Sequence, residues 1–291
     1  MDIAFHIGAH ATDDGALLRS LLKNRDRLSQ DGIVVPGPSR YRKLLREATA
    51  SHRGDPLSPA GREVILEAVA DTDDPKRLVF FNDSFTCVPA RALEGGLLYV
   101  RIAKAAWLRA LFPTDRCEFF LAMRNPATFV PALAEIIGDG ATTDDLLDGA
   151  PPEGLRWSET IGRLRDAVPD AAVTVWCNED TPIIWPRILR ALAGLPDDAP
   201  VEGALDMADR IMSKRGRLRL QQHLEKNPPV GEQQWQRTLT TFLARYAVED
   251  RVVEDLDLPG WTDEIVDRLT LLYEEDLDRV AAMDGVRFLS V

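Results

Sequence analysis

Ile3-Ala4-Phe5-His6-Ile7-Gly8-Ala9-His10-Ala11-Thr12-Asp13-Asp14-Gly15-Ala16-Leu17-Leu18 is the stretch that decides the fold. Its opening residues are almost all apolar, as in a strand of a parallel sheet covered on both faces. A glycine-containing turn follows. From Thr12 onward, Leu17, Leu18, Leu21, Leu22 and Leu28 recur at helical spacing. Strand, turn and helix in this order frame phosphate-binding loops, in which backbone N–H groups and a helix N-terminus offer an anion a seat. Here the seat holds Asp13 and Asp14. Thr12 has the chemistry of an N-cap, and acids in a first helical turn complement the helix dipole. The carboxylates are therefore expected to fill the seat themselves.

Outward from this stretch the chain alternates. Apolar strand-like runs near 33–35, 78–81, 117–123 and 172–176 are separated by helical patterns near 59–70, 99–111, 126–137, 158–167 and 181–192. Residues 39–60 read as irregular and basic, and 138–155 as a surface excursion rich in Gly, Asp and Pro. Such alternation predicts an α/β, three-layer domain over 1–195, with a central, mostly parallel sheet and crossover helices. Pro196–Pro200 reads as a linker. The remainder, 196–291, reads as a helical region packed on that core, with helices near 207–226, 232–248 and 262–283 and an apolar tail at 286–289.

Bulk properties narrow the function. The chain has 291 residues and a net charge of −12, which excludes a non-specific nucleic-acid binder because phosphate backbones need a basic face. A local basic pocket for a small anion remains compatible with it. Cys87, Cys117 and Cys177 are far apart and odd in number, so they form neither a disulfide framework nor a metal-ligand pattern. No metal is expected. No run approaches the ~18 apolar residues of a membrane span, and Asp2 breaks any signal-peptide pattern. A cytoplasmic protein with no membrane partner is expected.

Three stretches carry a resemblance. The first is His6-Ile7-Gly8-Ala9-His10-Ala11-Thr12-Asp13-Asp14-Gly15-Ala16-Leu17, continued by Asp31-Gly32-Ile33-Val34-Val35-Pro36. The second is Phe119-Phe120-Leu121-Ala122-Met123-Arg124-Asn125-Pro126, and the third Leu269–Met283, with Tyr273-Glu274-Glu275-Asp276. Together they resemble the bacterial sulfotransferase family, which has the P-loop nucleoside-triphosphatase fold. The first looks like that family's His-Ile-Gly-x-x-Lys-Thr-Gly-Thr-Thr-Ser-Leu motif. The resemblance implies sulfuryl transfer from 3′-phosphoadenosine 5′-phosphosulfate (PAPS) to a hydroxyl or amine of a small or macromolecular acceptor, leaving adenosine 3′,5′-bisphosphate (PAP). Gly8, Ala9, His10, Ala11, Thr12, Gly15 and Ala16 would then hold the 5′ end of the nucleotide and Arg124 its 3′-phosphate. His10 or Asp83 would be the catalytic base.

The departures from that pattern have physical consequences. Ala11 stands where the family has lysine, Asp13 where it has glycine, Asp14 and Gly15 where it has hydroxyl residues, and Ala132 where it has serine. A carboxylate 4 Å from a phosphate oxygen repels it by about 1 kcal/mol in water-like surroundings and about 4 kcal/mol at an effective dielectric near 20. Two expectations follow: a sulfotransferase with weakened donor binding, or an inactive protein of the same fold serving as a binding or regulatory partner of another protein. Elsewhere, His6 reads as a core histidine. Asn82-Asp83-Ser84 reads either as a cleft edge at a strand's carboxyl end or as an Asx turn. Lys214-Arg215-Gly216 resembles the Arg-Lys-Gly loop of cytosolic sulfotransferases, but its Arg-rich helical surroundings (Arg210, Arg217, Arg219) predict a solvated helix face.

Overall fold

The computed structural model describes every residue except 73, 139, 255 and 257. Strand β1 (Asp2–His6) leads through α1 (Ala16–Lys23) and α2 (Arg25–Gln30) to β2 (Ile33–Val34). Helices α3 (Pro38–His52) and α4 (Pro59–Val69) lead to β3 (Arg77–Phe81), and α5 (Ala105–Ala110) to β4 (Arg116–Met123). After β4 come α6 (Pro126–Ile137), α7 (Thr143–Leu147), α8 (Trp157–Ala167) and β5 (Ala172–Cys177). The chain closes with α9 (Thr181–Ala193), α10 (Asp206–Ile211), α11 (Lys214–Lys226), α12 (Glu232–Tyr246), α13 (Asp263–Ala281) and β6 (Val286–Leu289).

The six strands form one sheet in the order β2-β3-β1-β4-β5-β6, and every pair is parallel. Side chains alternate across it with the strand period of two. Ile3, Phe5 and Ile7 enter a core shared with α3, α5, α6 and α8, whereas Ala4 enters a second core under α1 and α9. Phe5 lies in register with Phe80 and Phe119, and its ring stacks on theirs at 5.6 and 5.4 Å between centroids. The C-terminal third shares both cores: α13 gives Tyr273 and Val280 to the first, and β6 gives Leu289 to the second. Helices α11 and α12 are the exception. They pack a small cluster of their own around Met212, Leu220 and Leu239.

Four local expectations need correction. The first helix begins at Ala16, not near Thr12, because Ala11, Asp14 and Gly15 hold φ of +54°, +50° and +72°, outside the right-handed helical region. Thr12 is not its N-cap; the hydroxyl donates to the Ala9 carbonyl at 2.8 Å. The segment read as irregular is largely α3, entered through Pro38 in its first turn; only Tyr41 and Leu45 are buried on it, so its apolar stripe is narrow. The run at 99–111 yields only a 3₁₀ turn, Ile102–Lys104, and the short α5, since Tyr99 sits at φ +46°. The run at 207–226 is two helices, broken at Met212-Ser213, where the Ser213 side chain accepts from Gly216 N at 3.2 Å and caps α11.

This topology places a crevice. From β1 the chain turns to the α1 face of the sheet, and from adjacent β4 it turns to the opposite, α6 face. The two departing loops diverge and leave a gap at the carboxyl ends of β1 and β4. Open α/β sheets bind their ligands at such switch points.

Candidate functional site

The gap is a cavity of about 830 Å³ between the β1 loop, the β4 loop, the turn after β5 and the segment following α12. Ala11, Thr12 and Asp14 line it from the first loop, Arg124 and Asn125 from the second, and Glu179 from the third. Arg210, Arg251 and Glu254 close it from the C-terminal third.

Arg124 is its centre. It follows the last residue of β4 and is only 7% exposed. Trp157 Nε1 donates to its backbone carbonyl at 2.8 Å and fixes the strand end. All three nitrogens of its guanidinium are engaged by protein atoms. Nε donates to Thr128 Oγ1 at 3.1 Å, Nη1 donates to the Ala11 carbonyl, and Nη2 pairs with the Glu254 carboxylate. The loop thus turns a carbonyl toward the arginine, and a carboxylate holds the position an anionic ligand of Arg124 would take.

The aspartates divide their work. Asp13 Oδ2 accepts from Leu17 N at 2.8 Å in the first turn of α1, so this carboxylate does occupy part of the anion seat. Asp14 points outward and meets Arg210 Nη2 at 3.3 Å. Arg210 Nη1 also donates to the Asp13 carbonyl at 3.3 Å. Arg210 reaches the loop because α10 is tied to α1 through Lys23 and Asp206, 2.6 Å apart. Among the described residues, no acceptor is hydrogen-bonded to the backbone N–H of Thr12, Asp13 or Asp14.

His10 lies behind the loop rather than in the cavity. It is 1% exposed and stacks on Tyr99. Its backbone N–H donates to the Tyr99 hydroxyl oxygen at 2.7 Å, and the same oxygen lies 2.7 Å from His10 Nδ1. In the tautomer protonated on Nε2, Nδ1 accepts the phenolic proton. The ring proton then sits on Nε2, 3.3 Å from Ser84 Oγ, and His10 acts as a donor there. Burial lowers its pKa, partly opposed by the Asp83 charge. Asp83 itself is exposed in the β3 loop, where Ser84 Oγ donates to it at 3.2 Å, and Asn82 Oδ1 accepts from Ser84 N in an Asx turn. Neither sequence-predicted base lines the cavity. Gly8, Ala9, Gly15 and Ala16 shape the loop without lining the cavity; Ala9 N–H bonds to the Ala122 carbonyl of β4. His6 is a core residue stacked on Trp176, its Nε2 has no hydrogen-bond partner among the described residues, and burial lowers its pKa.

Four cavity residues escaped the sequence reading. Glu179, in the turn after β5, accepts from Asn125 N at 2.8 Å and from Tyr273 OH at 3.1 Å; desolvation in the cleft raises its pKa. Its place at a strand's carboxyl end was a signal available in the sequence. Arg210, Arg251 and Glu254 are brought in only by tertiary packing. Among the described residues, no group of three His, Cys, Asp or Glu side chains is placed to hold a metal ion, and no helix is long and apolar enough to cross a membrane. No family model, curated protein or solved structure matches this chain.

Proposed function

We propose that this chain is a binding or regulatory protein of sulfotransferase-like architecture whose nucleotide seat is closed by its own side chains. The Arg124–Glu254 pair carries the assignment. The arginine that would hold a 3′-phosphate already has an internal carboxylate partner. A phosphate must displace that carboxylate and then face Asp14 and Glu179 with no lysine at Ala11 to help it. The central position of β1 between β3 and β4, with its loop at the switch point, supports the architectural half of the proposal.

A second reading, weak donor binding with residual transfer, is favoured by Arg210 and Arg251. They bring two guanidiniums to the cavity that the resemblance did not supply, beside N–H groups of the loop that have no acceptor among the described residues. In that case Glu179, which lines the cavity, is the candidate base in place of His10 or Asp83.

Calorimetric titration with adenosine 3′,5′-bisphosphate separates the two. Wild-type protein is expected to give no saturable heat up to millimolar ligand. Micromolar binding that disappears in Arg124→Ala would overturn the proposal in favour of a transferase. The converse variant is Ala11→Lys with Glu254→Gln, which restores a cation and frees Arg124; it is expected to gain binding. Gly15 and Asp14 are left alone, since β-branched residues are strained at φ of +72° and +50°.

A further inference from the structure

The α11–α12 hairpin departs from the rest of the chain in charge. Residues 213–246 hold seven Lys and Arg against two Glu, a net of +5 within a chain of −12. One of those acids, Glu232, faces away to Arg190 of α9 at 3.5 Å. Among the described residues, none of the seven cations forms an ion pair. Two of them, Lys214 and Arg215, stand in the first turn of α11, where cations oppose the helix dipole. Helix stability does not explain this pattern.

Three of the seven cations, Arg219, Lys226 and Arg245, converge. Arg219, Gln222, His223 and Lys226 follow the i, i+3, i+4, i+7 spacing of one helix face. Thr241, Phe242, Arg245 and Tyr246 come from α12, and together the two sets line a groove of about 340 Å³. Arg219 donates to Tyr246 OH at 2.6 Å. The guanidiniums of Arg219 and Arg245 lie 5.8 and 5.5 Å from the centroid of the same tyrosine ring. The close approach of the helices depends on Gly216, where a Cβ would stand 2.4 Å from that of Tyr246. The Lys-Arg-Gly run is thus the packed first turn of α11, and its glycine sets the width of the groove's floor.

We propose that this groove is a second binding site, taking a phosphate or sulfate monoester group. Two arginines and a lysine, with no carboxylate partner among the described residues, supply the charge and the fork-shaped donors such an oxyanion requires. Gln222, Asn227 and Thr241 add neutral donors at the rim, and the half-buried Phe242 gives an apolar wall for the ester substituent. The groove lies on α11 and α12, apart from the Arg124 cavity, and does not depend on what that cavity binds.

The group can come from a free small molecule or from a lipid headgroup, and one experiment distinguishes them. Full-length protein is titrated with inorganic pyrophosphate at low ionic strength while the four histidine imidazoles are followed by NMR. It is also sedimented with phosphatidylcholine vesicles containing or lacking phosphatidic acid. Saturable pyrophosphate binding that shifts His223, leaves His6 and His10 unmoved and weakens about tenfold or more in Arg219→Gln/Arg245→Gln assigns a free anion. Sedimentation only with phosphatidic acid, lost in the same variant, assigns a lipid-borne group. Arg237→Gln, which removes a cation of the same hairpin outside the groove, is expected to bind as wild type. Should the double variant fail to fold, Lys226→Gln at an exposed position replaces it. Absence of both interactions, or equal losses in Arg237→Gln and the groove variants, overturns the proposal.

Discussion

The carboxyl end of the sheet and the α11–α12 hairpin treat charge in opposite ways. At the cleft, a fold that offers anions a seat has filled it from within. Asp13 caps α1, Glu254 holds Arg124, and Arg210 holds Asp14. On the hairpin, an ordinary helix pair with no built-in anion seat carries seven cations without an ion pair among the described residues. Internal pairing leaves little attraction for a ligand. Unpaired like charges held close together leave a standing demand for a counter-charge. On the proposal made above, anion recognition lies away from the loop after β1.

The two regions also differ in what holds them. Phe5 is fully buried between Phe80 and Phe119 in the main core, whereas Phe242 is half-buried in a minor cluster. Phe5→Ala is expected to cost about 3–5 kcal/mol in urea unfolding. Phe242→Ala is expected to cost less than about 2 kcal/mol, since the transfer term scales with the area buried. Equal losses would show that the hairpin is as integral to the fold as the sheet.

Acid should act through the sheet body. Burial lowers the pKa of His6 and His10 below the ordinary 6.5. Below pH 6.5 the unfolded chain takes up protons that the folded chain refuses, so stability falls as pH falls. The slope is at most about 1.4 kcal/mol per pH unit for each imidazole, until the folded pKa is reached. Urea midpoints measured from pH 7 to pH 5 should decline in the wild type and decline less in His6→Phe. An unchanged decline in that variant removes His6 from the account.

The smallest effect tests the surface pairing. Asp14 is 73% exposed in its ion pair with Arg210. Asp14→Asn should change stability by no more than about 0.5 kcal/mol, and by less in high salt, as for other exposed pairs. A larger, salt-resistant loss would mean that Asp14 holds the loop structurally rather than merely balancing charge.

Local and periodic features were legible in the sequence. The apolar run Ile3–Ile7 and the alternation after it are enough for a parallel sheet, because a strand buried on both faces needs helices on each side. The role of the Asp13 carboxylate was equally plain, since it acts on an amide four residues away, whereas the outward turn of Asp14 to Arg210 was not. The start of α1 was not, because three consecutive-turn positions adopt positive φ, two of them non-glycine, without a residue pattern that requires it. Nor was α3, whose narrow apolar stripe is masked by exposed cations.

The amino-acid sequence by itself determined the layered α/β architecture, the absence of any Lys or Arg from residues 8–15 and the charge contrast between the hairpin and the rest. Only the tertiary structure decided which groups meet. Glu254 reaches Arg124 across 130 residues, Arg210 reaches Asp14 across 196, and Arg219 shares the Tyr246 ring with Arg245. Periodicity reports the environment of a residue within its own element. The partner of a charge depends on how distant elements dock, and no local spacing encodes that.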